Sequence, residues 1–271
     1  MASSSRFGLI AGNGRFPFLV LEAARTQGIE MVVAAIKEET FPEIEQHAKS
    51  VHWMSLGQLG KLIKTFKSEG VNHAIMAGQV KHKQIFSSII PDLKMIQLLA
   101  SLATKNTDSL IGAVAKMLES EGIHLMDSTL FLRPLLPDPG VLTRRAPSEE
   151  EKRDLDYGYK IARELGRLDL GQSVALADGA CIALEAMEGT DAVIERAAAL
   201  ANGRMLRVVK LAKPNQDLRF DVPVIGLSTV KLMVRLKVSA LAIEARKTLM
   251  IDREDLVREA DAAGIAIVAV E

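Results

Sequence analysis

The chain has 271 residues, of which 48% are hydrophobic and 25% charged, ordinary values for a globular protein, so neither disorder nor a fibrous class is expected. Lys plus Arg and Asp plus Glu number 34 each, and this zero formal charge removes the global electrostatic drive of a nucleic-acid binder, which needs a basic surplus. The opening apolar run breaks at Gly12, too soon for a signal peptide, and no stretch approaches the roughly 18 apolar residues that cross a bilayer. A single cysteine, Cys181, suits a reducing compartment and reads as a small buried hydrophobe rather than a nucleophile.

In chain order, RFGLIA is a strand, FPFLVLEAARTQG has helical spacing and EMVVAAI is a second strand. SVHWMSL, the helix LGQLGKLIKTFKSEG, the strand VNHAIMAG, two helices between Pro91 and Gly122, and IHLMDST follow. Uninterrupted apolar runs separated by helices predict a parallel sheet with right-handed crossovers. Residues 133–147, RPLLPDPGVLTRRAP, carry four of the nine prolines and are read as an ordered, extended connector between domains at 1–132 and 148–271. The second half opens with a helix after the N-cap Ser148, with acids in its first turn. SVALADGACIALEA is a hairpin turning at Asp178-Gly179. The helix DAVIERAAALANG, the strand MLRVVKLA, a polar loop, a helix near 229–237, strands at ALAIEA and TLMI, a helix from Asp252 and the strand IAIVAV complete an α/β domain of distinct topology.

Four constellations can carry chemistry. Gly12-Asn13-Gly14-Arg15 precedes a helix with Pro17 in its first turn; glycines admit close backbone approach and a helix start attracts phosphate. As a dinucleotide fingerprint it lacks the third glycine, which is Pro17, although Glu38 and Glu39 follow the second strand where a ribose-binding acid sits; a tight turn is the bland alternative. The loop after the fourth strand offers Gly78, Lys81, His82 and Lys83 at the carboxyl end of the sheet, where two lysines and a histidine can hold phosphate oxygens; the alternative is a solvated basic turn, the preferred reading for His82 and an open one for Lys81. In Glu188-Gly189-Thr190-Asp191, Thr190 or Asp191 is first of all a helix N-cap, and a carboxylate there can also help hold a divalent metal. The densest is Lys213-Pro214-Asn215-Gln216-Asp217-Leu218-Arg219-Phe220-Asp221-Val222-Pro223, leading to Gly226 and Thr229. Its carboxylates can coordinate magnesium while its cations neutralise phosphate charge; the alternative is a solvated loop with local salt bridges.

GLIAGNGRFP near the start, GQSVAL at Gly171, EGTDAVI at Glu188 and KPNQDLRFDVPVIG from Lys213 together resemble the UDP-2,3-diacylglucosamine pyrophosphatases of the LpxI type, from the first strand to the last. The resemblance implies a Rossmann-like N-terminal domain and a C-terminal domain of a fold particular to the family. It also implies hydrolysis of UDP-2,3-diacylglucosamine to 2,3-diacylglucosamine 1-phosphate and UMP in lipid A synthesis, with Mg2+ or Mn2+ and water attacking the sugar-side phosphorus. Asp221 in RFDVP stands where the family has its essential carboxylate, and Asp191 joins it as a metal ligand. Asp217, Arg219 and Lys213 complete the catalytic set; Gly12, Asn13, Gly14, Arg15, Gly78, Lys81, Gln172, Thr190, Gln216 and Thr229 are the substrate-binding set. Two departures stand out: Asn13 replaces a glycine common in relatives, and Ser228 an acid.

The expected partners are the acylated UDP-sugar, the inner membrane surface in transient contact, and a second copy in a homodimer; location is cytoplasmic. The segments MIQLLASLA and LMVRL could face acyl chains but read first as core. Two alternatives remain open on residues alone: an NAD(P)-dependent oxidoreductase, from the opening loop and Glu38, and a non-catalytic nucleotide-sugar sensor.

Overall fold

Short apolar strands separated by helices build two main sheets and a separate strand pair in the computed structural model, which describes residues 6–80, 91–102 and 107–271. Residues through Leu132 together with Leu218–Phe220 form one unit; Arg133–Asp217 and Asp221–Glu271 form the other.

In the first unit β1 (Phe7–Ala11), β2 (Met31–Ile36), β3 (Ser50–Met54), β4 (His73–Ala77) and β5 (His124–Leu125) lie in the order β3-β2-β1-β4-β5, all parallel. All six residues of β2 are buried, which is why its sequence shows no polar alternation. Helices α1 (Phe16–Thr26), α2 (Leu59–Ser68), α3 (Leu93–Ser101) and α4 (Thr107–Ser120) and a short 3-10 turn at Pro42–Gln46 complete the described elements of this unit. Phe66 of α2 and Leu118 of α4 join Val32 and Ala34 in one core. Asp92 ties two helix starts together: Oδ1 accepts from the Met95 N–H at 3.0 Å and Oδ2 from the Gly60 N–H at 2.6 Å. In MIQLLASLA, Met95 and Leu98 are buried in this core. The order reverses between β1 and β4, so the loops after those strands meet at the switch point of the sheet.

In the second unit a six-stranded sheet runs β6 (Gly140–Val141), β13 (Ala266–Val270), β11 (Val238–Glu244), β9 (Leu206–Lys210), β7 (Ser173–Ala177), β8 (Ala180–Leu184). Its centre β13-β11-β9 is parallel, and β7, β8 and β6 pair antiparallel. A separate pair joins β10 (Val224–Ile225) to β12 (Leu249–Met250). Helix α5 (Glu149–Arg167) covers one face, with Leu155, Ala162 and Leu165 against Val174, Leu176 and Val209. Helices α6 (Thr190–Ala201), α7 (Leu227–Arg235) and α8 (Arg253–Ala262) cover the other, with Ile194, Met233 and Leu256 against Leu206, Val208 and Ile243. Each fully buried aliphatic side chain contributes about 1.5–3 kcal/mol, so these two layers hold the sheet. Asp178 (φ 49°) and Gly179 (φ 76°) form the left-handed turn that the hairpin requires. Ser148 caps α5 in a full capping box with Glu151, which also receives the Arg145 guanidinium as a fork at 2.6 and 2.9 Å.

Residues 133–147, read from the sequence as a connector, are built into this second unit. Gly140 and Val141 pair with β13, the Thr143 hydroxyl accepts from Ile267 N–H, and Pro137 accepts from Arg246 N–H. Cys181 on β8 is half-buried rather than enclosed, and burial pushes its thiol up, so it stays protonated. Among the described residues no helix is long and apolar enough to cross a membrane.

Candidate functional site

At the switch point of the first sheet, the loops after β1 and β4 touch backbone to backbone. Asn13 N–H donates to Gln79 O at 2.8 Å, Gln79 N–H to Asn13 O at 3.1 Å, and Gly12 N–H to Ala77 O at 2.8 Å. A Cβ on Gly12 would stand 2.8 Å from Gln79 O, and one on Gly78, at φ +94°, 2.6 Å from Asn13 O. This mutual approach gives both glycines a structural reason in addition to any ligand. Gly14, at φ +90°, faces open space, and Arg15 caps α1 through its backbone with Pro17 in the first turn, leaving no side-chain cap. Glu38 accepts from the Leu56 N–H at 3.1 Å, a use of that carboxylate other than a ribose. Lys81, with His82 and Lys83, lies outside the described residues.

In the second unit the polar loop after β9 is braced from within by one amide. Gln216 Oε1 accepts from Lys213 N–H at 2.7 Å and from Gln172 Nε2 at 2.8 Å, while Gln216 Nε2 donates to Asp221 O at 2.9 Å. Asp221 N–H donates to Asp217 O at 3.0 Å, closing a turn. The Lys213 ammonium pairs with Asp169 at 2.6 Å, and the Arg219 guanidinium lies 6.0 Å from the Phe220 ring centre. Within the first unit, Ser128 holds Leu218–Phe220: its N–H donates to Leu218 O at 2.9 Å and its hydroxyl to Arg219 O at 2.7 Å.

The start of α6 supplies the rest. The expectation that Thr190 or Asp191 is the N-cap is corrected: Gly189, at φ +88°, occupies the cap and makes no side-chain bond. Both side chains are thereby released for tertiary contacts. Thr190 Oγ1 receives the Lys210 ammonium at 2.6 Å and shares a hydrogen bond with Ser173 Oγ at 2.9 Å. Asp191 Oδ1 receives the Thr229 hydroxyl at 2.8 Å, linking the first turns of α6 and α7. Alternation along β9 puts Leu206, Val208 and Lys210 on the face covered by α6, whereas Val209 and Leu211 face α5.

Burial pushes the Lys210 ammonium below its ordinary value, while Glu185, Asp191 and Asp221 pull it back up. Gln172, Thr190, Asp191, Lys213, Gln216, Asp217, Asp221 and Thr229 therefore all belong to the second unit, with Gly12, Asn13, Gly14, Arg15 and Gly78 in the first and Arg219 grouped with it. Sequence reasoning passed over Lys210, Glu185, Ser173 and Ser128. The signal for Lys210 was a charge at the end of an apolar strand, LRVVK, at a position whose alternation points it into a helix-covered face.

Among the described residues no group of three or more His, Cys, Asp or Glu is arranged to hold a metal ion. Mg2+ commonly takes one or two carboxylates and completes its shell with water and substrate phosphate, so Asp191 and Asp221 have suitable donor chemistry without forming a closed cage.

Comparison with known proteins places these residues in a family. Residues 6–135 match the model described as LpxI N-terminal domain, and residues 138–268 the model described as LpxI C-terminal domain. The UDP-2,3-diacylglucosamine pyrophosphatase LpxI of Caulobacter vibrioides is 30% identical over 276 residues, covering 98% of each chain. Among solved structures, the biotin carboxylase domain of Hydrogenobacter thermophilus 2-oxoglutarate carboxylase aligns at 14% identity and a TM-score of 0.26, covering 64% of this chain and 35% of its own. A precorrin-6A reductase, CobK, aligns at 11% identity and a TM-score of 0.29, covering 98% and 87%. The chain thus spans about a third of the carboxylase. With both domain models matched in order and a curated relative aligned end to end, this chain belongs to the LpxI family.

Proposed function

We propose that this protein hydrolyses UDP-2,3-diacylglucosamine to 2,3-diacylglucosamine 1-phosphate and UMP, a pyrophosphatase step of lipid A synthesis. The observation that carries the reading is the end-to-end match to a relative named for that activity, and the polar loop and the start of α6 supply chemistry suited to it. Water attacks the sugar-side phosphorus; the bond from that phosphorus to the bridging oxygen breaks, the bridging oxygen leaves on UMP, and the water proton is lost to solvent.

Asp221 is the essential carboxylate, and Asp191 and Asp221 would hold a Mg2+ or Mn2+ ion that neutralises phosphate charge. The Gln216 brace fixes the main chain at Asp221, and the Thr229 hydroxyl orients Asp191. Lys213 and Arg219 bring positive charge to the same loop. Work on a diacylated substrate implies a cytoplasmic protein in transient contact with the inner membrane surface, with a homodimer as the proposed assembly.

The test is UMP release from UDP-2,3-diacylglucosamine with and without magnesium, in water enriched in 18O. The expected result is magnesium-dependent release with the label in the sugar phosphate. Absence of UMP under every divalent metal overturns the activity, and label in UMP overturns the site of attack.

A further inference from the structure

Lys210 ends β9 with 7% of its surface exposed. Burying an ammonium is costly unless it is paired. It donates to a neutral hydroxyl, Thr190 Oγ1, at 2.6 Å. Glu185, Asp191 and Asp221 act on it through their charge. The hydroxyl that holds it opens α6, a helix of 12 residues whose cap, Gly189, contributes no side chain. A helix start carries partial positive charge and N–H groups without intrahelical partners. A buried cation therefore sits where Thr190, Asp191 and Asp221, three residues of the candidate site, all act on it. The Lys210 ammonium and the start of α6 converge at Thr190, an arrangement that suits an anion bound there.

We propose that Lys210 is a substrate-contacting residue of this site, its ammonium meeting a phosphate oxygen alongside the Thr190 hydroxyl and the first N–H groups of α6. The proposal rests on the pyrophosphatase reading for the identity of the anion. The structural alternative makes Lys210 the counter-charge of Glu185, a buried carboxylate on the neighbouring loop whose Oε2 accepts from Gln172 N–H at 3.2 Å.

Removing both charges together separates the two roles. The Lys210→Met/Glu185→Gln double variant is compared with Glu185→Gln alone, with inorganic pyrophosphate in magnesium buffer as the probe, binding read by calorimetry and folding by thermal melting. The expected result is at least tenfold weaker pyrophosphate binding in the double variant at an unchanged melting temperature. Equal affinity in the two overturns the proposal, as does a wild-type protein that binds no pyrophosphate. Should the double variant fail to fold, Lys210→Gln keeps a donor for Thr190 and drops only the charge; the same tenfold loss supports the proposal and wild-type affinity overturns it. The two readings fail separately: wild-type protein that binds pyrophosphate but releases no UMP sinks the substrate assignment, whereas UMP release with undiminished binding in the variants sinks the role of Lys210.

Discussion

The side-chain amide of Gln216 donates to the main-chain carbonyl of Asp221 at 2.9 Å, so the placement of the carboxylate depends on a residue five positions earlier. Gln216 also accepts from Lys213 N–H and Gln172 Nε2, which makes it the internal brace of the loop. Net hydrogen-bond contributions are about 0.5–1.5 kcal/mol each. Gln216→Ala should lower kcat by about tenfold, equivalent to roughly 1.4 kcal/mol in the barrier, with a small loss of melting temperature. Gln216→Glu keeps the acceptor and loses the donor to Asp221, so it should show most of the same kcat defect. Steady-state UMP release beside thermal melts checks this; wild-type kcat in both variants would mean that Gln216 does not position Asp221.

Asp221→Ala should lower turnover by about two or more orders of magnitude while the protein stays folded and retains much of its substrate affinity. Removing a carboxylate from beside phosphates relieves repulsion and so offsets part of the lost metal bridging. Asp217→Ala should be milder, since the bond from Asp221 N–H to residue 217 goes to its main-chain carbonyl, which alanine keeps. Single-turnover assays over a magnesium series decide, and near wild-type turnover in Asp221→Ala is the contrary result.

The glycines of the first unit should separate by cause. Gly78→Ala places a methyl 2.6 Å from Asn13 O at φ +94°, a backbone conflict with no flexible neighbour to yield. Gly14→Ala meets no atom and pays only for its φ of +90°, about 1–3 kcal/mol for strain of this kind. Gly78→Ala should therefore reduce stability well beyond Gly14→Ala, and Gly14→Val should weaken ligand binding more than folding if that loop touches phosphate. Urea melts and pyrophosphate binding read the two effects independently. Equal stability of the two alanine variants would contradict the close approach of Gly78 and Asn13.

Acid should weaken the second unit through Glu151. Burial alone would raise this carboxyl, but the Arg145 fork, with the Ser148 N–H, overcomes it and holds the group at about 2, against 4.5 for the ordinary side chain. Because the folded value is the lower one, the stabilisation is complete above the unfolded value and drains away as pH falls from about 4.5 toward about 2. Glu151→Gln should cost about 1–3 kcal/mol at neutral pH and flatten the acid dependence across that window. Urea melts at stepped pH read both slopes; parallel slopes in the two proteins count against this pair as the source.

Much of this architecture is legible in local patterns. The uninterrupted apolar run MVVAAI announced a strand buried on both faces, and the Asp-Gly pair announced a hairpin, because each reflects a constraint acting within a few residues. Ser148 and Glu151 revealed a helix start in the same way. The motif KPNQDLRFDVPVIG pointed to the family that both domain models and an end-to-end relative show. The partners of those residues were not legible. Nothing local shows that Gly12 and Gly78, 66 positions apart in the numbering, exclude side chains for each other's sake, or that Ser128 clasps Leu218 and Arg219. The stretch 133–147 looked like a linker because proline content reports stiffness, whereas its pairing with β13 is set by a strand more than 100 residues later. Thr190 looked like a cap because caps are the usual use of a threonine before a helix. Glycine took that place, and the tertiary fold gave the hydroxyl to Lys210, a contact fixed by the packing of α6 on β9 and by no neighbour in sequence.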